Sequence, residues 1–187
     1  MKHLFIIILV LLVSVFTTAC INNFAVQELN NNAKEFINKG DTEAAICRLK
    51  SSIDLDANVW ETHYNLAIAY LTSKNYEEAQ KEFQTTLNLN PEQTDAYYSL
   101  AISYEQQAEE MIRATKDAEE EDTQEADTEK ELPTTEAIVE KLTEANKYYS
   151  TYLQKSAGKQ DTASISDRIS AIEKQIEDLT QNNSENN

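Results

Sequence analysis

The sequence is short of the residues that build most active sites. Of its 187 residues only 2 are glycine, Gly40 and Gly158. A phosphate-cradling loop or a dinucleotide fingerprint needs several glycines at fixed spacing, so neither can be present. The 2 histidines are His3 and His63, and the 2 cysteines are Cys20 and Cys47. No zinc spacing and no Ser–His–Asp set can be assembled from them, and no pair of carboxylates stands out as catalytic. Positive charge is scarce as well: 16 basic residues face 33 acidic ones, a net charge of −17. Nucleic acid and anionic lipid surfaces both call for basic patches, which excludes the first as a partner and disfavours lying flat on the second. An enzyme, a cofactor, a metal site and a small-molecule substrate are therefore not expected.

What the chain does have is a self-match at a spacing of 34 residues. Tyr64-Asn-Leu-Ala-Ile-Ala-Tyr70 falls on Tyr98-Ser-Leu-Ala-Ile-Ser-Tyr104. One register earlier, Ala33 falls on Ala67, Phe36 on Tyr70, Ala45 on Ala79, Leu49 on Phe83 and Ile53 on Leu87. Leu66, Ala67 and Tyr70 lie at helical spacing on a first helix. After a turn at Lys74-Asn75, a second helix carries Tyr76, Ala79, Phe83 and Leu87, and Pro91 ends it. Small alanines let two helix backbones approach and aromatics fill the space between them. One such hairpin cannot bury its apolar face alone, so neighbours must stack.

This unit resembles the tetratricopeptide repeat (TPR) family. Leu66, Ala67, Tyr70, Tyr76, Ala79, Phe83 and Pro91 stand at its motif positions, with Lys74 in place of the usual turn glycine. The resemblance implies an all-α helical-hairpin solenoid of about three repeats, near 26–59, 60–93 and 94–157. The first keeps Ala33, Phe36, Gly40, Ala45 and Leu49, but has Asn32 at a large apolar position and Ala57 where proline belongs. The third opens at Tyr97, Leu100, Ala101 and Tyr104 and is then interrupted: the alanine due at position 113 arrives at Ala145, 32 residues late.

That insertion, about 108–139, keeps a helical pattern at both ends. Ala108, Met111 and Ile112 continue the first arm; Ala137, Ile138, Val139 and Leu142 start the second early. The arms read as one long hairpin, 94 to about 117 and 135–157, tipped by the acidic segment 118–133; a disordered loop between frayed helices is the alternative. The tip holds no glycine, so it reads as a solvated acidic stretch rather than a calcium loop. A last helix, 161–180, carries Ile165, Ile169, Ile172, Ile176 and Leu179 on one stripe, suited to capping the solenoid or to pairing with a second chain. The tail 181–187 reads as disordered.

The chain opens with Met-Lys-His and an uncharged run from Leu4 to Phe16, shorter than the ~20 residues a membrane span needs. This is the form of a secretory signal, 1–19. Thr17-Thr18-Ala19-Cys20 resembles the bacterial lipoprotein cleavage box. The resemblance implies that Cys20 is lipidated and tethers the domain through residues 20–25; an ordinary signal peptide with a chance cysteine is the alternative. Ile21 rather than aspartate after Cys20 points to the outer membrane facing the periplasm in a diderm, or otherwise to the outer face of the plasma membrane.

In tetratricopeptide proteins the first helices of successive repeats line a concave groove. The matching positions here are Asn30, Lys34 and Ile37, then Tyr64, Asn65, Ile68 and Leu71, then Tyr98, Ser99 and Ile102, with Glu61, Asp95 and Glu105 as an acidic rim. The recurrence of Tyr64 at Tyr98 and of Ile68 at Ile102 fits an apolar-anchored peptide or helix, or else packing between neighbouring helices. The subclass that clamps a chaperone's C-terminal carboxylate needs lysines and an arginine; Asn65 fits that pattern, but Asp95 and Ser99 replace two basic residues. The expectation is a membrane-anchored interaction scaffold of the cell envelope that binds a protein or peptide partner. The alternative is a self-associating structural protein built on the terminal helix or the extended hairpin.

Overall fold

The structure, a computed structural model, describes residues 22–121, 132–156 and 162–185. Over these residues it is all helix and no strand. The helices are α1 (22–38), α2 (Thr42–Leu55), α3 (Trp60–Thr72), α4 (Tyr76–Leu89), α5 (Thr94–Glu121), α6 (Thr135–Lys155) and α7 (Thr162–Glu185). Each packs on the next: α2 on α3, α3 on α4, α4 on α5, α5 on α6 and α6 on α7. The first helices α1, α3 and α5 form one row, and α3 also touches α5 directly.

The two short hairpins turn identically. The amide of Asp41 donates to the Phe36 carbonyl at 2.9 Å and that of Asn75 to the Tyr70 carbonyl at 2.8 Å. Gly40 and Lys74 donate to Ile37 and Leu71, both at 3.0 Å. Such a turn needs a left-handed residue at the helix end. Gly40 supplies it with φ 78°, and Lys74 adopts it against its preference at φ 60°.

The alanines that the repeat pattern singles out, Ala33, Ala45, Ala67, Ala79, Ala101 and Ala145, are all fully buried. The core has two parts. The first gathers Leu49, Leu66, Tyr70 and Phe83 around the small alanines of α1 to α5. The second lies in the long hairpin and gathers Ala101, Ala108, Ile138, Leu142, Ala145 and Tyr149, with Met111 and Ile112 against them. The hairpin arms thus run as helices well past the ordinary repeat length. Thr134 starts α6 by accepting the Ala137 amide at 3.2 Å. Of the acidic tip, 122–131 lie outside the described residues.

Helix α7 lays its apolar stripe on the hairpin: Ile165 and Ile172 are buried, and Ile169, Ile176 and Leu179 pack against the same cluster. It also runs further than its sequence suggests. Residues 181–185, expected to be disordered, are helical, and Asn183 donates to Glu136 at 2.9 Å near the start of α6. The lengthened hairpin provides a ledge that an ordinary repeat lacks, and the helix follows it.

Candidate binding groove

The recurring tyrosines hold the row of first helices together. Tyr64 of α3 meets Phe83 of α4 edge-on, with ring centroids 5.8 Å apart at 62°. Tyr98 of α5 meets Tyr149 of α6 with the same separation, 5.8 Å, at 61°. Tyr149 stands where Phe83 does once the insertion is allowed for, so the sequence repeat is also a repeat of packing geometry. The Tyr64 hydroxyl crosses to the next first helix, 3.4 Å from Ser99 Oγ. Burial pushes its pKa up, the Ser99 contact partly opposing. Both tyrosines are half-buried, as are Ile68, Leu71 and Ile102. Their recurrence thus has a packing cause, and what they offer a partner is an edge rather than a whole ring.

In the first repeat Asn30 takes the tyrosine's place. Its Nδ2 donates to Ser52 Oγ at 3.0 Å, Thr62 Oγ1 at 2.8 Å and the Val26 carbonyl at 3.0 Å, while its Oδ1 accepts from Asn65 Nδ2 at 2.9 Å. Asn30, Ser52, Thr62 and Asn65 are all buried. Asn65 therefore ties α3 to α1 and does not stand free in the groove. The register held part of the clue: Asn30 falls where Tyr64 and Tyr98 stand in the other repeats. An amide is smaller than a phenol ring, and a cavity of about 490 Å³ remains between α1 and α3. Its walls carry Val26, Lys34, Asp56, Val59, Glu61 and Asn65.

The expected rim divides. Glu61 and Asp95 are exposed, but Glu105 is only 8% exposed and is not a rim residue. It accepts the Tyr149 hydroxyl at 2.6 Å and the Arg168 Nε at 2.7 and 2.9 Å. Burial, then the carboxylate, push the Tyr149 hydroxyl pKa far up, and the same carboxylate raises Arg168. The Arg168 guanidinium lies 5.7 Å from the Tyr149 ring. Tyr98 is also held by Tyr152, 5.3 Å between centroids. The third repeat's end of the groove is thus closed by the chain's own α6 and α7, which the charge pattern on α5 alone could not reveal.

His63 is a structural residue. It is buried, its Nε2 donates to the Ala57 carbonyl at 3.0 Å, and Nδ1 lies 2.6 Å from Glu82 Oε2. Cys47 is an exposed thiol. Cys20 lies outside the described residues. Among the described residues no group of three or more His, Cys, Asp or Glu could hold a metal ion, and no helix is long and apolar enough to cross a membrane.

Residues 36–102 match the tetratricopeptide repeat family model. No curated protein matches the chain. Among solved structures, the second TPR domain of human RPAP3 in complex with the HSP70 peptide SGPTIEEVD aligns at 18% identity over 80% of this chain and 98% of that one, TM-score 0.56. The first TPR domain of human RPAP3 aligns at 18% identity over 82% and 95%, TM-score 0.58. The first TPR of Spaghetti (RPAP3) bound to the HSP90 peptide SRMEEVD aligns at 16% identity over 81% and 92%, TM-score 0.57. The fold is an all-α solenoid of the TPR type.

Proposed function

We propose that this chain is a membrane-anchored interaction scaffold of the bacterial cell envelope. Lipidated Cys20 holds it to the membrane, and the face of α1, α3 and α5 binds a segment of an envelope protein. The observation that carries this reading is the row of first helices, which offers the half-buried Tyr64, Ile68 and Leu71 beside the exposed carboxylates Glu61 and Asp95. Apolar anchors on a rigid surface supply affinity, and the acidic flank sets polarity and speeds the approach of a basic partner. Two of the similar solved domains hold peptides that are themselves acidic, SGPTIEEVD and SRMEEVD. Glu61 and Asp95 would repel such peptides, so the partner here is of the opposite sign.

Self-association through α7 has less support, since the helix spends its apolar stripe on its own hairpin. We read the solenoid as a binding scaffold, the role its fold serves in the peptide-bound domains it resembles.

The test is site-specific photo-crosslinking in intact cells. A photoreactive residue at Glu61 or Asp95 is expected to capture one and the same protein, and the same probe at Cys47 on α2 is expected not to. Equal capture from Cys47 would refute the groove as the working face. Independently, Cys20→Ser is expected to release the protein from the membrane fraction and abolish acyl labelling. An unchanged fractionation without acyl label would refute the anchor.

A further inference from the structure

We infer that the cavity between α1 and α3 is a pocket for an arginine side chain of the partner segment. The inference rests on the reading of this face as a partner groove and names the chemistry of one of its contacts. In the second and third repeats the position of Asn30 is held by Tyr64, whose hydroxyl reaches Ser99 of the next first helix, and by Tyr98, which packs on Tyr149 and Tyr152. In the first, Asn30 turns its amide to Ser52 and Thr62 and leaves about 490 Å³ open.

The walls select a cation. Asp56 and Glu61 put two carboxylates on the cavity against one ammonium, Lys34. Asn65 lines it while only 8% exposed, and its Nδ2 is committed to Asn30. Its Oδ1 has no donor among the described residues, although it belongs to a side chain more than nine-tenths buried. That oxygen is open to solvent rather than sealed in the core, so it can accept from a donor that enters the cavity. Val26 and Val59 give an apolar wall for a methylene stem.

A guanidinium fits these features better than an ammonium. It carries five donors in one plane, so it can reach Asn65 Oδ1 and a carboxylate together, and it is less strongly hydrated. Asp56 already accepts the Asn58 amide through Oδ1 at 2.9 Å, which leaves its other oxygen for the ligand. Lys34 repels the guanidinium from its side of the cavity and confines it near Asp56 and Glu61.

The experiment uses the full chain in detergent and the peptide acetyl-Leu-Ala-Arg-Ala-Leu-amide. Controls carry citrulline, which keeps the shape but not the charge, or glutamate in place of arginine. Titration is followed by calorimetry and by the side-chain amide resonances of Asn30 and Asn65. The arginine peptide is expected to bind at least tenfold more tightly than either control and to shift the Asn65 amide. The double variant Asp56→Asn/Glu61→Gln is expected to lose that preference, while Lys34→Met tightens binding several-fold. Asparagine at 56 can still accept the Asn58 amide, so the turn is kept. Equal binding of the arginine and citrulline peptides, or no binding of either, would overturn the pocket. Partner capture from Asp95 would then still stand, so loss of the pocket and loss of the scaffold reading are distinguishable.

Discussion

The two ends of the first-helix row share one repeat pattern and differ in what fills them. At the α1–α3 end, Asn30 replaces the aromatic plug and a polar cavity stays open. At the α5 end, Tyr98 is clasped by Tyr149 and Tyr152, and Glu105 is sealed under Arg168 of α7. The backbone arrangement is shared, and a few side chains decide which end is open and which is covered. A solenoid can therefore leave one end open and cover the other through local side-chain changes and an added helix, with the hairpin stack unchanged.

Four substitutions probe this difference and the shared backbone beneath it. The largest effect is expected at the open end. Asn30→Leu removes the amide that serves Ser52, Thr62 and Asn65 and leaves the buried Asn65 amide without an acceptor. A buried donor left unpaired, added to the bonds lost, should lower the unfolding free energy by about 3 kcal/mol. Denaturant titration checks it. A loss below about 1 kcal/mol would mean that the polar cluster is readily satisfied by water.

At the closed end, Tyr149→Phe makes the third repeat like the second, where Phe83 has no hydroxyl. It removes the 2.6 Å bond to Glu105. Hydrogen bonds to charged groups contribute about 1.5–3 kcal/mol, and a loss near 2 kcal/mol is expected. The pH dependence has a definite sign. Burial and Glu105 hold the Tyr149 pKa above its ordinary value. Its contribution is therefore complete below the unfolded tyrosine pKa of about 10 and fades as pH rises toward the folded value. Thermal scans should show wild type losing stability above that pH more steeply than the phenylalanine variant.

The smallest effects belong to the two equivalent turns, which should behave as mirror cases. Gly40→Ala puts a side chain at φ 78° with no atom within 4 Å to obstruct it, so the cost is conformational alone, about 1 kcal/mol. Lys74→Gly relieves a non-glycine residue at φ 60° and should raise the melting temperature, by about 0.5–1 kcal/mol in stability. The exposed Lys74–Glu110 pair at 3.7 Å that it removes contributes little. Opposite signs at the two sites would confirm that the turns are one structure, and equal signs would break that equivalence.

Much of this was legible in the chain. The spacing of 34 residues marks the repeats because helical hairpins of equal length must present small and aromatic residues at equal intervals to stack. Ala67, Ala79, Ala101 and Phe83 could be named as core from that rule alone, and they are fully buried. The isoleucine stripe of α7 and the apolar residues of both hairpin arms followed from helical periodicity in the same way.

The side-chain partnerships across helices were not legible, because periodicity gives the face of a helix and not what a neighbour brings to it. Tyr64 and Tyr98 recur at a groove position, and only the packed helices reveal that Phe83 and Tyr149 hold them there. Glu105 has the charge of a rim residue, yet Arg168, 63 positions later, reaches over and covers it. Asn30 looks like a polar surface residue until Ser52, Thr62 and Asn65 meet it from α2 and α3. Local pattern and composition thus determined the all-α solenoid and its acidic character. Tertiary structure decided which end of the row is open, since that depends on contacts between residues far apart in the chain.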